Sequence, residues 1–198
     1  MHPPLSYSML AKGVRPVFGI RQFFGGKEKR KNQSQVGVQL LGSLLVCYPE
    51  VAAVTYDPGQ DELELTFVVR KPFPEGKDLE AFKEFLRESL EAFHDIETGC
   101  YIRCAVDYEQ QGDTLLVHVV RNLGDLFRGE LEVMADLMLD RFGESLLVDS
   151  HTEENLEPEF ANMHSEMLDQ ILDQVPDIII RERMAAVREN DRVVVYNR

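Results

Sequence analysis

The sequence predicts an α+β fold in which helices pack on an antiparallel sheet as a two-layer sandwich. Segments with alternating apolar residues occur in pairs that flank Gly-containing turns, which is typical of hairpins. Between these pairs, apolar residues recur every three or four positions, which is typical of amphipathic helices. With 198 residues, 44% of them hydrophobic, the chain is long enough to bury a core without disulfide bonds.

The first helix is predicted from Asn32 or Ser34 to about Tyr48, and it is apolar on most of its circumference. A hairpin follows, formed by residues 51–56 and 62–70 around the turn pair Pro58-Gly59. The helix at 79–96 is predicted from apolar residues three or four apart: Leu79, Phe82, Leu86, Leu90, Phe93 and Ile96.

A second set of elements repeats this pattern. Residues 100–121 predict another hairpin, 123–143 another amphipathic helix and 144–149 a short strand. Residues 62–149 then have the order β-α-β-β-α-β of a ferredoxin-like sandwich. A duplicated α-β-β unit is the alternative, because a shift of 52 residues lays Val54 on Val106 and Leu63 on Leu115.

The C-terminal part predicts a helical extension of this core. Apolar residues at helical spacing, from Phe160 to Ile171, indicate a further helix, and residues 184–198 predict a closing hairpin or a helix followed by a strand. The expected organisation is a basic N-terminal arm at 1–33, an α+β core domain at 34–150, and an acidic C-terminal helix and closing segment at 151–198, packed on the core.

Charge is distributed unevenly along the chain. The net charge is −14, yet residues 1–32 contain seven Lys or Arg and one acid, whereas residues 142–180 contain ten acids and no Lys or Arg. The arm also contains aromatic residues, a combination typical of segments that contact phosphates or lipids. The candidate binding residues are therefore Arg15, Arg21, Phe23, Phe24, Lys27, Lys29, Arg30 and Lys31.

The sequence predicts a reducing, cytoplasmic location. Three cysteines, Cys47, Cys100 and Cys104, do not form the framework expected of a disulfide-rich secreted protein. No signal peptide or membrane-spanning segment is expected. Phosphate-binding glycine loops and the motifs Gly-x-Ser-x-Gly and His-Glu-x-x-His are missing, so neither a cofactor nor a metal is expected.

One pair of residues is a candidate for catalytic chemistry, although the sequence favours a structural role for both residues. If Gln110-Gln111-Gly112 forms a three-residue turn, Cys104 faces His118 across the second hairpin, with Cβ atoms roughly 5 Å apart. A thiol beside an imidazole is the arrangement of a nucleophile with its base. The ordinary interpretation is a buried apolar cysteine and a histidine with a structural hydrogen bond.

These observations favour a non-catalytic protein-interaction or adaptor domain that binds a protein partner or self-associates as a dimer. The first alternative is a phosphate-binding module whose basic arm holds RNA, DNA or anionic lipid. The second alternative is a thiol-dependent enzyme that uses Cys104 and His118.

Overall fold

The structure, a computed structural model, describes residues 15–19, 29–149, 158–174, 180–189 and 192–197. The helices in this part of the chain are α1 (Lys29–Cys47), α2 (Lys77–Thr98), α3 (Arg128–Phe142) and α4 (Pro158–Gln174). The strands are β1 (Arg15–Gly19), β2 (Val51–Asp57), β3 (Glu62–Arg70), β4 (Ala105–Gln111), β5 (Thr114–Asn122), β6 (Met184–Glu189) and β7 (Arg192–Asn197). The predicted α+β class is therefore confirmed.

The described strands form one sheet in the order β1-β7-β6-β2-β3-β5-β4, and every neighbouring pair is antiparallel. Both predicted hairpins, β2–β3 and β4–β5, are present. The closing segment forms the hairpin β6–β7. Because β7 pairs with β1, the sheet extends into the predicted basic arm.

The core lies on one face of this sheet. The strand register places Val106, Val119, Leu65 and Val54 side by side across β4, β5, β3 and β2, and all four side chains are buried. Residues two positions apart on a strand share a face. The same face therefore carries the buried residues Tyr56, Leu63, Phe67, Val69, Leu115, Val117, Arg121, Met184, Ala186 and Val195.

Helix α2 confirms the periodicity predicted from the sequence. Its residues Leu79, Phe82, Leu86 and Leu90 are buried, Phe93 is half-buried, and Ile96 lies on the exposed side. Acidic residues in its first turn interact favourably with the helix dipole. The helix ends at Gly99, whose φ of 69° lets its N–H donate to Asp95 O.

Helix α1 begins at Lys29, a few residues before the predicted start, because Lys and Arg are good helix formers. The leucines Leu40, Leu41, Leu44 and Leu45 are fully buried, as expected for a helix with apolar residues around its circumference. Strands β2, β6 and β7 contact it on one side and α4 on another. A Cβ at Gly37 would come within 2.6 Å of Met184 Sδ, so glycine permits the close approach of α1 to β6.

Arg188 of β6 closes the C-terminal end of α1. Its Nη2 donates to Leu45 O and, at 3.3 Å, to Tyr48 O, and its Nε donates to Val51 O at 3.2 Å. Its Nη1 forms an ion pair with Asp149 Oδ2 at 2.8 Å. Carbonyl groups that the helix end leaves without intrahelical partners are thereby satisfied by one guanidinium.

The short strand predicted at 144–149 is reduced to an isolated bridge between Leu146 and Val69. Next to it, Leu147 N donates to Val68 O at 2.8 Å. The first β2 residue, Val51, pairs with Phe67, so this end of β3 has room for residues 146 and 147. The two-layer, ferredoxin-like and duplicated arrangements stay predictions.

Truncation of Phe82 tests the packing of α2. Its ring contacts Phe142 with a centroid distance of 5.0 Å and is buried, so Phe82→Ala should lower the free energy of unfolding by about 3–5 kcal/mol. Phe85 lies on the same helix with 54% of its surface exposed, so Phe85→Ala should change the free energy of unfolding by less than about 0.5 kcal/mol. Urea unfolding measures both, and equal effects would contradict this packing.

Candidate functional site

The candidate binding residues of the arm fall in three places. Arg15 begins β1, and the basic residues Lys29, Arg30 and Lys31 form the first turn of α1. The remaining candidates, Arg21, Phe23, Phe24 and Lys27, lie outside the described residues. Phosphate binding by the arm therefore stays a prediction.

The predicted contact between Cys104 and His118 is wrong. Gln111 pairs with Thr114, so the β4–β5 turn has two residues and not three, and His118 faces Asp107. The φ of 63° at Gly112 lies in the left-handed region that such tight turns require. The turn is Gly112-Asp113, so it is one residue shorter than predicted and lies later in the sequence, and together these changes move the partner of His118 by three positions, from Cys104 to Asp107.

Cys104 and His118 also lie on opposite faces of the sheet. Cys104 precedes β4 on the face of Val106 and is 5% exposed, whereas His118 alternates with the buried Val117 and Val119. Burial raises the pKa of Cys104 to about 12, which disfavours the thiolate that a nucleophile requires. The thiol-enzyme alternative therefore has no geometric basis in this hairpin.

His118 belongs to a polar cluster on the face of the sheet opposite the core. Its Nδ1 is 3.1 Å from Thr66 Oγ1 and 3.2 Å from Glu64 Oε1. The hydrogen bond with Glu64 raises the pKa of His118 and lowers the pKa of Glu64. Asp107, its partner on β4, accepts a hydrogen bond from Lys83 Nζ at 2.8 Å. This cluster ties three strands and α2 together.

A buried ion pair lies between the sheet and the helices. Arg121 of β5 and Glu130 of α3 are both fully buried, and Arg121 donates to Glu130 through Nε and, at 3.1 Å, through Nη2. Arg121 Nη1 donates to Arg103 O at 2.7 Å. Glu130 Oε2 also accepts from His94 Nδ1 of α2 at 3.2 Å. One carboxylate therefore joins α2, α3 and β5.

An open cleft of about 430 Å³ lies beside this ion pair. It is lined by Glu62, Glu91, Arg103, Cys104, Ala105, Val120, Arg121, Asn122 and Asp125. Its charged groups have both signs, and Arg121 is already engaged with Glu130. Within the described ranges, no three His, Cys, Asp or Glu side chains are placed to hold a metal ion. We assign no chemistry to this cleft.

A second buried polar pair joins α1 to α4. Ser43 Oγ lies 3.0 Å from His164 Nδ1, and burial lowers the pKa of His164. Ser43 is fully buried, so a substrate has no access to its hydroxyl group. We interpret this pair as a packing contact between two helices.

The remaining candidate is a groove between α2 and α3. These helices are antiparallel, since Phe93 near the end of α2 stacks on Phe127 before α3, with ring centroids 5.8 Å apart. At the other end, Phe82 contacts Phe142.

Helical periodicity defines the walls of this groove. At about 100° per residue, Phe85, Ser89, Ala92 and Ile96 form a line beside Phe82 and Phe93, turned away from the sheet. On α3, Val133 and Leu137 form the corresponding line beside Glu130 and Arg141, and both are partly buried. We call these six residues, Phe85, Ser89, Ala92, Ile96, Val133 and Leu137, the α2/α3 groove. Phe85 is 54% exposed and Ile96 is 79% exposed.

The outer rim of the α2/α3 groove is acidic. Exposed carboxylates on both helices flank the apolar residues: Glu84, Glu88, Asp95, Asp136 and Asp140. Arg87 binds Glu84 at 2.8 Å, Glu88 at 3.4 Å and Glu91 at 2.6 Å, so the charge of the rim rests on Asp95, Asp136 and Asp140. Arg141 lies over the Phe82 ring, with its Cζ 5.7 Å from the ring centroid. The groove therefore combines exposed apolar residues with an acidic rim.

Sequence reasoning missed this groove for a definable reason. Periodicity placed Ile96 with the apolar face of α2 and left Phe85 unassigned. A helix with apolar residues over more than one face has a second surface to cover, and Phe85 and Ile96 extend the stripe beyond the arc that Leu86 and Leu90 occupy. The width of the apolar stripe on α2 therefore indicates a second contact surface in the sequence itself.

Comparison with known proteins gives no family for this chain. No protein-family model matches it, and no curated protein or solved structure gives a significant match. In the described part of the chain, none of the helices has the length and apolar character needed to cross a membrane.

Removal of one carboxylate tests the buried ion pair. Glu130→Gln leaves the buried Arg121 charge without a counterion, so the free energy of unfolding should fall by about 3–5 kcal/mol. Glu132→Gln is the matched control on the same helix, because Glu132 forms an exposed pair with Arg128 that is worth about 0.3–0.5 kcal/mol. The free energy of unfolding, measured in urea, should therefore fall much further in Glu130→Gln than in Glu132→Gln. A loss below about 1 kcal/mol for Glu130→Gln would contradict the role of this pair.

The pair of His118 and Glu64 predicts a defined pH dependence. The pKa of His118 is raised above 6.5, so its contribution to stability is complete below pH 6.5 and is lost as pH rises through the folded value. The pKa of Glu64 is lowered below 4.5, so its contribution is present above pH 4.5 and is lost as pH falls through the folded value. The stability difference between wild type and Glu64→Gln should therefore be largest between pH 4.5 and 6.5.

NMR titration of the histidine rings provides the direct measurement. Glu64→Gln should lower the pKa of His118 toward its ordinary value. His164 is the internal control, because burial lowers its pKa independently of Glu64. If the pKa of His118 is the same in Glu64→Gln as in wild type, the hydrogen bond with Glu64 is not the cause of the raised pKa.

Proposed function

We propose that this protein is a non-catalytic protein-interaction domain that binds its partner through the α2/α3 groove. The observation that supports this proposal is the exposure of Phe85 and Ile96 on α2, a helix that packs against α3, where Val133 and Leu137 are only partly buried. A continuous apolar surface rimmed by polar residues is characteristic of protein-binding sites.

The rigidity of the two helices supports the same proposal. Stacking of Phe93 on Phe127 and contact of Phe82 with Phe142 hold α2 and α3 near both ends of the groove. Glu130 contacts both His94 of α2 and Arg121 of the sheet. A partner therefore meets a preorganised surface, which lowers the entropic cost of binding.

The cysteines support placement of this domain in a reducing compartment such as the cytoplasm. Cys47, Cys100 and Cys104 are all free thiols, and burial raises the pKa of Cys47 to about 11. Thiols persist where glutathione and thioredoxin keep them reduced.

Comparative affinity purification tests the proposed function. Phe85→Ser/Ile96→Ser should reduce the recovery of a specific partner by about tenfold or more, because exposed apolar anchors dominate such interfaces. Tyr101→Ser is the matched control, since Tyr101 is 74% exposed but lies after α2 and outside the groove. Quantitative mass spectrometry compares the three proteins, purified from the cells in which the protein occurs.

Folding of each variant is checked by urea unfolding, where exposed substitutions should have effects within about 0.5 kcal/mol. Equal recovery of every partner by wild type and the groove variant would overturn the proposal.

A further inference from the structure

We propose that the α2/α3 groove binds a basic amphipathic helix of a partner protein, with apolar residues on one face and Lys or Arg on both flanks. This inference rests on the proposed function and specifies the chemistry of the partner. It is carried by three features of the groove: its helical walls, its dimensions and its acidic rim.

The helical walls determine the conformation of the partner. Backbone groups within α2 and α3 form intrahelical hydrogen bonds, so this surface presents no row of free N–H and C=O groups. An extended peptide that binds by strand addition requires such a row, as at the edge of a sheet. A helix satisfies its own backbone groups and places apolar side chains at i, i+3, i+4 and i+7 into the groove between two other helices.

The dimensions fit a short helix. The 15 residues of α3 span about 22 Å, and this length sets the part of the groove that has two walls. A partner helix of about 15 residues covers that length with four turns. Ser89 and Ala92 are small residues near the middle of the α2 wall, so they allow close approach between the bulkier Phe85 and Ile96.

The rim determines the charge of the partner. Asp95 on α2, and Asp136 and Asp140 on α3, are exposed carboxylates on the two sides of the groove. Flanking Lys or Arg residues of a bound helix would lie against these carboxylates. The same rim repels an acidic helix, so charge provides specificity in addition to association rate.

Charge distribution over the helices strengthens this assignment. Helix α2 carries seven acids and three bases, and α3 carries four acids and two bases. Lys83, Arg87 and Arg128 bind carboxylates of this chain, which removes acids and bases alike, so the acidic excess rests on exposed residues such as Asp95, Asp136 and Asp140. The field over the groove is therefore negative and attracts a cationic segment.

Selection from a random peptide library tests the inference on the full chain. A display library of peptides of about 16 residues is selected on immobilised wild type and on Phe85→Ser/Ile96→Ser, with Tyr101→Ser as the control. Peptides enriched on wild type and Tyr101→Ser, but not on the groove variant, should share helical apolar spacing and carry net positive charge. Circular dichroism should show that they become helical on binding.

A charge exchange provides the second measurement. Asp95→Lys/Asp136→Lys should weaken the binding of an enriched peptide by about tenfold and reduce its salt dependence. Glu75→Lys/Glu109→Lys is the matched control, because it makes the same change in net charge at exposed positions away from the groove. Binding to this control should stay within about twofold of wild type.

The outcomes separate the two proposals. Groove-dependent peptides that are acidic or neutral, or equal weakening by both charge exchanges, would overturn the basic partner and leave the proposed function standing. Absence of any groove-dependent peptide would overturn both. A dimer that dissociates in Phe85→Ser/Ile96→Ser, seen by sizing with light scattering, would overturn the basic partner and assign the groove to a second copy of the chain.

Discussion

The ion pair between Arg121 and Glu130 holds the sheet and two of the helices in their relative positions. A buried charge is tolerated only when its partners are placed accurately, since desolvation of each ion costs several kcal/mol. Arg121 meets this requirement with Glu130 and the carbonyl oxygen of Arg103, and Glu130 adds His94. An apolar contact would permit sliding of α3 along the sheet, whereas these directional bonds define one position. The spacing of α2 and α3 follows from that position.

This spacing explains why apolar side chains stay outside the core. The helices meet through Phe82, Phe93, Phe127 and Phe142 on their sheet-proximal sides, so the outer sides diverge as on any two packed cylinders. Phe85 and Ile96 on the outer side of α2 then lie outside the core, whereas Val133 and Leu137 of α3 pack partly against it. Phe85 and Ile96 therefore contribute little burial to the folding of this chain, and the apolar area that they expose is available for association.

Sequence patterns predicted the helices and strands of this fold better than the register and contacts between them. Period-two and helical spacing located the two central hairpins and α2, because burial on one face imposes those spacings directly. The β4–β5 register depends instead on whether one residue belongs to a strand or to a turn, and periodicity does not resolve that choice.

Arg121 continues the inward alternation of Leu115, Val117 and Val119, so the sequence pattern predicts its burial. Its partner Glu130 was not, because nothing local in a helix identifies a distant counterion. The width of the apolar stripe on α2 indicated a groove, but only the placement of α3 defined its second wall.

The termination of α1 by Arg188 has a consequence for how this chain folds. The guanidinium and the carbonyl oxygen of Leu45 are 143 residues apart in sequence, and β6 also pairs with β2. Contacts of such high sequence separation form late, because a long loop must close before they contribute free energy. During synthesis, α1 and β2 therefore leave the ribosome well before the strand that completes them. Until then the apolar circumference of α1 is incompletely covered, so the nascent chain exposes apolar surface that is prone to association.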